Sequence, residues 1–113
     1  FEWNKFSLDG LNRSVEYFQK AIDADPSYGN PYNDIGSYLI SQNKLDESEK
    51  WLSLALDAKN YDQRHFPYYN LGLLYEKRGD YFRARELYSE ALNYSPEYDA
   101  AKNAVIRITT LLN

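Results

Sequence analysis

Residues 66–96 read FPYYNLGLLYEKRGDYFRARELYSEALNYSP, and the fold follows from this stretch. Tyr68, Leu71, Gly72 and Tyr75 fall at i, i+3, i+4 and i+7, one face of a helix. After a break at Gly79-Asp80, a second stripe follows through Tyr81, Ala84, Leu87, Tyr88, Ala91 and Leu92. Pro67 sits where a helix accepts proline, in its first turn, and Pro96 falls just past the second helix.

The same pattern recurs along the chain. A shift of 36 sets Asn30-Pro31-Tyr32 on Phe66-Pro67-Tyr68, Ile35-Gly36 on Leu71-Gly72, and Ala55-Leu56 on Ala91-Leu92. It also pairs Leu39 with Tyr75, Leu45 with Tyr81, Ser48 with Ala84 and Leu52 with Tyr88. A shift of 34 carries Leu11, Ser14, Phe18, Ala21 and Ile22 onto Leu45, Ser48, Leu52, Ala55 and Leu56. Asp25-Pro26-Ser27-Tyr28 matches Ser95-Pro96-Glu97-Tyr98 at a shift of 70. A fixed period of this size signals stacked supersecondary units. Helices are expected near residues 1–8, 11–24, 31–42, 45–58, 66–78, 81–94 and 98–112, about seven in all. Asn30 reads as the N-cap before Pro31, Gly10 and Gly79 as turn residues, and no segment alternates with the period of a strand.

The pattern resembles the tetratricopeptide repeat (TPR). The third unit matches throughout, with Tyr68, Leu71-Gly72, Tyr75, Ala84, Tyr88, Ala91 and Pro96. The second matches with Tyr32, Ile35-Gly36, Leu39, Ser48, Leu52 and Ala55, but has Asn60 in place of the closing proline. The resemblance implies an all-α fold, a right-handed superhelical solenoid of antiparallel helix pairs. Residues 1–28 are a partial first repeat, 29–64 a second with a two-residue insertion, 65–98 a third, and 99–113 a capping helix. Gly36 and Gly72 are expected to let paired helices approach closely, and Tyr32, Tyr68, Tyr75, Tyr81 and Tyr88 to fill core positions.

Composition narrows the chemistry. The 113 residues carry 13 Lys and Arg against 17 Asp and Glu, a net charge of −4, with one histidine and no cysteine. Thiolate chemistry, disulfides and a multi-histidine metal site are excluded on those counts. Nucleic-acid binding is not expected, because it takes clustered cations, and no apolar run is long enough to insert in a membrane. Glu86 and Glu90, or Asp46, Glu47 and Glu49, read as solvated helix faces rather than metal ligands. No cofactor and no enzymatic activity are expected. Asn12-Arg13-Ser14 and Asn93-Tyr94-Ser95 match the glycosylation sequon by chance. A cysteine-free chain suits either redox compartment; a cytoplasmic location is favoured but not fixed.

Proteins of the family usually hold a peptide or protein segment in a concave groove lined by the first helix of each pair. Carried over by position, that implies Asn30, Asn33, Ser37 and Ser41 from the second unit. The third unit gives Phe66, Tyr69, Asn70, Leu73 and Lys77, the last helix Asn103 and Arg107, and the first unit Trp3. Asparagine amides can grip a peptide backbone without reading its sequence, and Phe66, Tyr69 and Leu73 would be apolar anchors. On this reading Asn33→Ala, Tyr69→Ala or Asn70→Ala lowers affinity and spares stability. The subtype that clamps a chaperone's C-terminal carboxylate is not expected. Its positions fall on Asn33, Ser37, Asn70, Ala100 and Ala104, which keep an asparagine and lose all three cations.

The expected function is a non-enzymatic scaffold for a protein or peptide partner of unknown identity. An architectural role in repeat stacking or self-association is the alternative. Phe1-Glu2-Trp3 begins in mid-repeat without methionine, so an array continuing upstream is expected, or self-association through this uncapped end. The insertion, Lys59 to Pro67, reads as a longer surface loop with Tyr61 and Phe66 tucked inward. The sharper reading holds Arg64 and His65 out toward a ligand anion.

Overall fold

Apolar residues at helical spacing, interrupted by proline and by residues that accept positive φ, fold into successive short helices. The computed structural model describes residues 13–113. Among them run α1 (Arg13–Ala24), α2 (Asn30–Ser41), α3 (Leu45–Asp57), α4 (His65–Lys77), α5 (Tyr81–Tyr94) and α6 (Asp99–Leu112). The described residues are all-helical apart from one isolated bridge between Tyr28 and Asn60. About seven helices were expected; the one placed at residues 1–8, with Trp3, lies outside the described residues, as does Gly10. The chain forms two units, Phe1–Asp62 and Gln63–Asn113.

Helix ends repeat as the sequence does. Asn43 (φ 59°) and Gly79 (φ 85°) end α2 and α4 in the left-handed region. In both turns the next amide reaches back to close the helix: Lys44 N donates to Leu39 O and Asp80 N to Tyr75 O, each at 2.9 Å. Glycine and asparagine are the residues that tolerate this conformation. Asp80 then caps α5, accepting from Arg83 N at 3.1 Å. At α2 the N-cap is Gly29, not Asn30, and it makes no side-chain cap bond. Asn30 is instead the first helical residue, its amide reaching Asp34 Oδ2 at 3.4 Å.

In the first unit the core joins Val15 and Ile22 of α1, Tyr32, Ile35 and Leu39 of α2, and Trp51 and Ala55 of α3. Tyr32 stacks on Trp51, and its hydroxyl donates to Pro26 O at 2.7 Å. The inserted segment has a structural use here. Asn60 N donates to Ser27 O (2.9 Å) and Gly29 N to Asn60 O (3.2 Å), which ties the end of α3 to the α1–α2 turn. Tyr61 is buried in that core, its ring occupying the space a side chain on Gly29 would need.

In the second unit α4 and α5 run antiparallel: Tyr68 stacks on Tyr94, while Arg83 lies over Tyr75 at the other end. Helix α6 runs parallel to α4, since Tyr69 meets Tyr98 near their starts and Glu76 meets Arg107 near their ends. Ala84, Tyr88, Ala104 and Ile108 form the core between them. Tyr32 and Tyr88 are buried as expected, but Tyr81 is 39% exposed and is not a core residue. It opens α5, before the helix has turned its apolar stripe fully onto α4.

Gly36 and Gly72 are the contact points of the two helix pairs. A Cβ on Gly36 would lie 2.5 Å from Leu52 Cδ2, and one on Gly72 2.6 Å from Tyr88 Cδ1. Alanine would gain roughly 1 kcal/mol of helix propensity over glycine. Overpacking against side chains that are themselves fully buried costs about 1–3 kcal/mol. Gly36→Ala and Gly72→Ala should therefore destabilise the fold by up to roughly 2 kcal/mol each, read as a lower urea midpoint. Midpoints at or above wild type would show that the helices can move apart at no cost.

Candidate functional site

The second unit carries most of the groove residues. Phe66, Tyr69, Asn70, Leu73 and Lys77 lie at i, i+3, i+4, i+7 and i+11, one stripe of α4. The stripe changes character along its length. At its start Phe66 and His65 pack on Tyr98, with ring centroids 5.7 and 5.1 Å away. Tyr69 touches both Tyr88 and Tyr98, at 5.4 Å each, and Leu73 borders the Ala84–Ile108 core. These three residues are half-buried, and Asn70 is half-buried too. Lys77, at the far end, is exposed, as are Asn103 and Arg107 on α6.

Arg107 is not a spare cation. Its guanidinium pairs with the Glu76 carboxylate, which also accepts from the Tyr88 hydroxyl at 2.7 Å. The three side chains join α4, α5 and α6 at one point. Burial alone would push the Glu76 carboxyl up, but the bonds from Arg107 and Tyr88 overcome it and hold the group below its ordinary value. The Tyr88 hydroxyl is pushed far above the usual phenol range, by burial first and then by the neighbouring carboxylate. It stays a hydrogen-bond donor at any physiological pH.

The first unit presents less. Ser37 and Ser41 are exposed, and the Ser41 hydroxyl bonds back to Tyr38 O within its own helix. Asn30 is half-buried, and Asn33 is only 5% exposed. Asn33 bonds the Asp34 carboxylate beside it. Of the inserted segment, His65 packs its imidazole on Phe66 at 4.1 Å, and burial holds its pKa below the ordinary value. A neutral, packed ring is poorly placed to meet an anion. Arg64 is half-buried at the N-cap of α4. Glu86 pairs with Arg83 at 3.0 Å, and Glu90 accepts from Asn93 at 3.1 Å. Among the described residues no three acidic, histidine or cysteine side chains gather to hold a metal, and no helix is long and apolar enough to cross a membrane.

The sequence model of the tetratricopeptide repeat matches residues 65–98, which span α4, the Gly79 turn, α5 and Tyr98. The chain carries a tetratricopeptide repeat. Over 86 residues it is 24% identical to the general transcriptional corepressor ssn6 of Schizosaccharomyces pombe, covering 76% of this chain and 8% of that protein. It is also 27% identical over 105 residues to the uncharacterized protein ycf37 of Cyanophora paradoxa, covering 91% of this chain and 61% of that protein. The chain thus spans less than two thirds of the length of either relative. A tetratricopeptide repeat points to a protein-interaction scaffold, and nothing in these likenesses points to catalysis.

Sequence reasoning missed Glu76. It holds the repeat to the helix that follows, through a partner 31 residues further on. Helical spacing reveals partners one turn away, not partners on another helix. Tyr98 was legible as a repeat position, but its contacts with Phe66 and Tyr69 on another helix were not.

The depressed Glu76 carboxyl sets a pH dependence. Its ionised form is favoured by folding, so its contribution is complete above about pH 4.5, the ordinary glutamate value, and is lost as pH falls through the lower folded value. Glu76→Gln should cost about 1 kcal/mol at neutral pH, and its stability should fall less steeply than wild type below pH 4.5. Parallel acid slopes in the two proteins would show that the carboxylate is not held by Arg107.

Proposed function

We propose that the chain is a non-enzymatic scaffold that holds an extended segment of a partner protein along α4 and α6. The observation that supports this reading is the grading of the α4 stripe. Half-buried aromatic and aliphatic surface at Phe66, Tyr69 and Leu73 passes into exposed polar groups at Lys77 and, on α6, Asn103. A rigid apolar floor with polar groups at its edge suits a peptide whose side chains anchor and whose backbone is hydrogen-bonded. Asn70 and Asn103 can each donate and accept, as a peptide backbone requires.

Packing divides the roles of these residues. Tyr69 and Leu73 support the core beneath as well as a ligand above, and Arg107 fastens α6 through Glu76. Lys77 and Asn103 are the positions where binding and folding separate. Peptides selected from a random display library on the intact chain should lose affinity by about tenfold with Lys77→Ala plus Asn103→Ala, while the unfolding midpoint stays within roughly 0.5 kcal/mol. Tyr69→Ala should lower both. Selected peptides that bind the double variant as tightly as wild type would remove this face from the binding site.

A further inference from the structure

The two helix hairpins share a backbone and differ in the chemistry of one turn. At the shift of 36, Asp46, Glu47 and Glu49 of α3 correspond to Phe82, Arg83 and Arg85 of α5. An acidic first turn is what a helix N-terminus favours, and α3 has it in Asp46 and Glu47. The first turn of α5 has no acid, and it places Arg83 where the helix dipole disfavours a cation. Beside it Phe82 is 65% exposed, with the guanidinium of Arg85 5.8 Å from its ring centroid. Arg83 is held locally, its amide by the Asp80 cap and its guanidinium by Glu86 and over the Tyr75 ring, whereas the Phe82 ring is left on the surface.

The opposite chemistry lies on α3. An open depression of about 470 Å³ is lined by Asp46, Glu49, Lys50, Ser53, Leu54 and Asp57. Its floor holds the half-buried Leu54, and three carboxylates face one ammonium around it. The asymmetry extends to the whole chain. Residues 1–62 carry eleven acidic and six basic side chains, a net −5, while residues 63–113 carry six and seven, a net +1.

We propose that copies of this chain associate head to tail, Phe82 of one copy entering the acidic depression on α3 of another. The aromatic ring meets Leu54, and Arg85 beside it approaches the carboxylates at the rim. The two surfaces are different patches, so the contact is heterologous. Opposite charges at the rim fix the pairing and steer it, while the buried ring supplies most of the affinity. None of these residues belongs to the α4–α6 stripe of the proposed peptide site, and either proposal can hold without the other.

Sedimentation of the full chain over a wide concentration range tests this. The weight-average mass should rise with concentration and fall back as salt screens the rim charges. Phe82→Ser removes the protruding ring and Ser53→Arg blocks the depression; both positions are exposed, and circular dichroism checks that each variant folds. Each variant alone should weaken association by about tenfold or more, but an equal mixture should form dimers and nothing larger. That complementation separates a heterologous contact from any symmetric one. A wild-type mass independent of concentration, or a mixture as monomeric as its parts, would overturn the proposal.

Discussion

Paired helices touch at Gly36 and Gly72, where the absence of a side chain lets Leu52 and Tyr88 pack directly on helix backbone. Everything else is arranged around that approach. Because α3 lies so close to α2, the hydroxyl of Ser48 reaches Gly36 O at 2.7 Å and is satisfied in a fully buried position. Because α5 lies so close to α4, the Tyr88 hydroxyl reaches Glu76, and Glu76 is thereby set where α6 can pair with it. A wider spacing would leave Ser48 buried without its acceptor, at a cost of about 1–3 kcal/mol. The glycine is therefore less a point of flexibility than a fixed distance between two helices.

That distance explains which parts of the fold were legible in the sequence. Glycine, proline and apolar spacing are local signals, and they placed the six described helices to within about two residues. The Gly79 turn was readable in the same way, and its counterpart at Asn43 was missed because asparagine marks a left-handed residue less plainly than glycine does. Asn30 was misplaced as a cap because the chain enters α2 through Gly29, which Tyr61 packs against from beyond α3. No reading of residues 29–31 alone contains Tyr61. Tyr81 was misjudged for a related reason: a repeat position predicts burial only where a neighbouring helix covers it.

The candidate site was legible as a stripe but not as a division of labour. The family's groove pattern put Tyr69, Leu73 and Lys77, with Asn103 and Arg107, on one expected face. It could not distinguish a side chain that faces a ligand from one that holds two helices together, because both occupy the same face. Arg107 shows the difference. As an exposed cation on the expected groove it reads as a ligand contact, yet its guanidinium is engaged by Glu76. Asn33 shows the reverse, a polar residue of the right type whose burial gives it a role within its own unit.

The exposed surface then follows from what packing has already used. In the second unit Glu76 and Arg107 satisfy one another, Asp80 caps α5, and Glu86 holds Arg83. The face we propose on α4 and α6 therefore presents aromatic edges, amides and the exposed ammonium of Lys77, not a field of one sign. On the proposed reading, recognition there would depend on shape and on backbone hydrogen bonds more than on charge. Charge is concentrated elsewhere, in the acidic first turn of α3 and the cationic one of α5. The repeated backbone makes this separation possible. Each hairpin needs only its glycine, its small residues and its turn to fold, so the remaining positions can diverge in sign without cost to the pair.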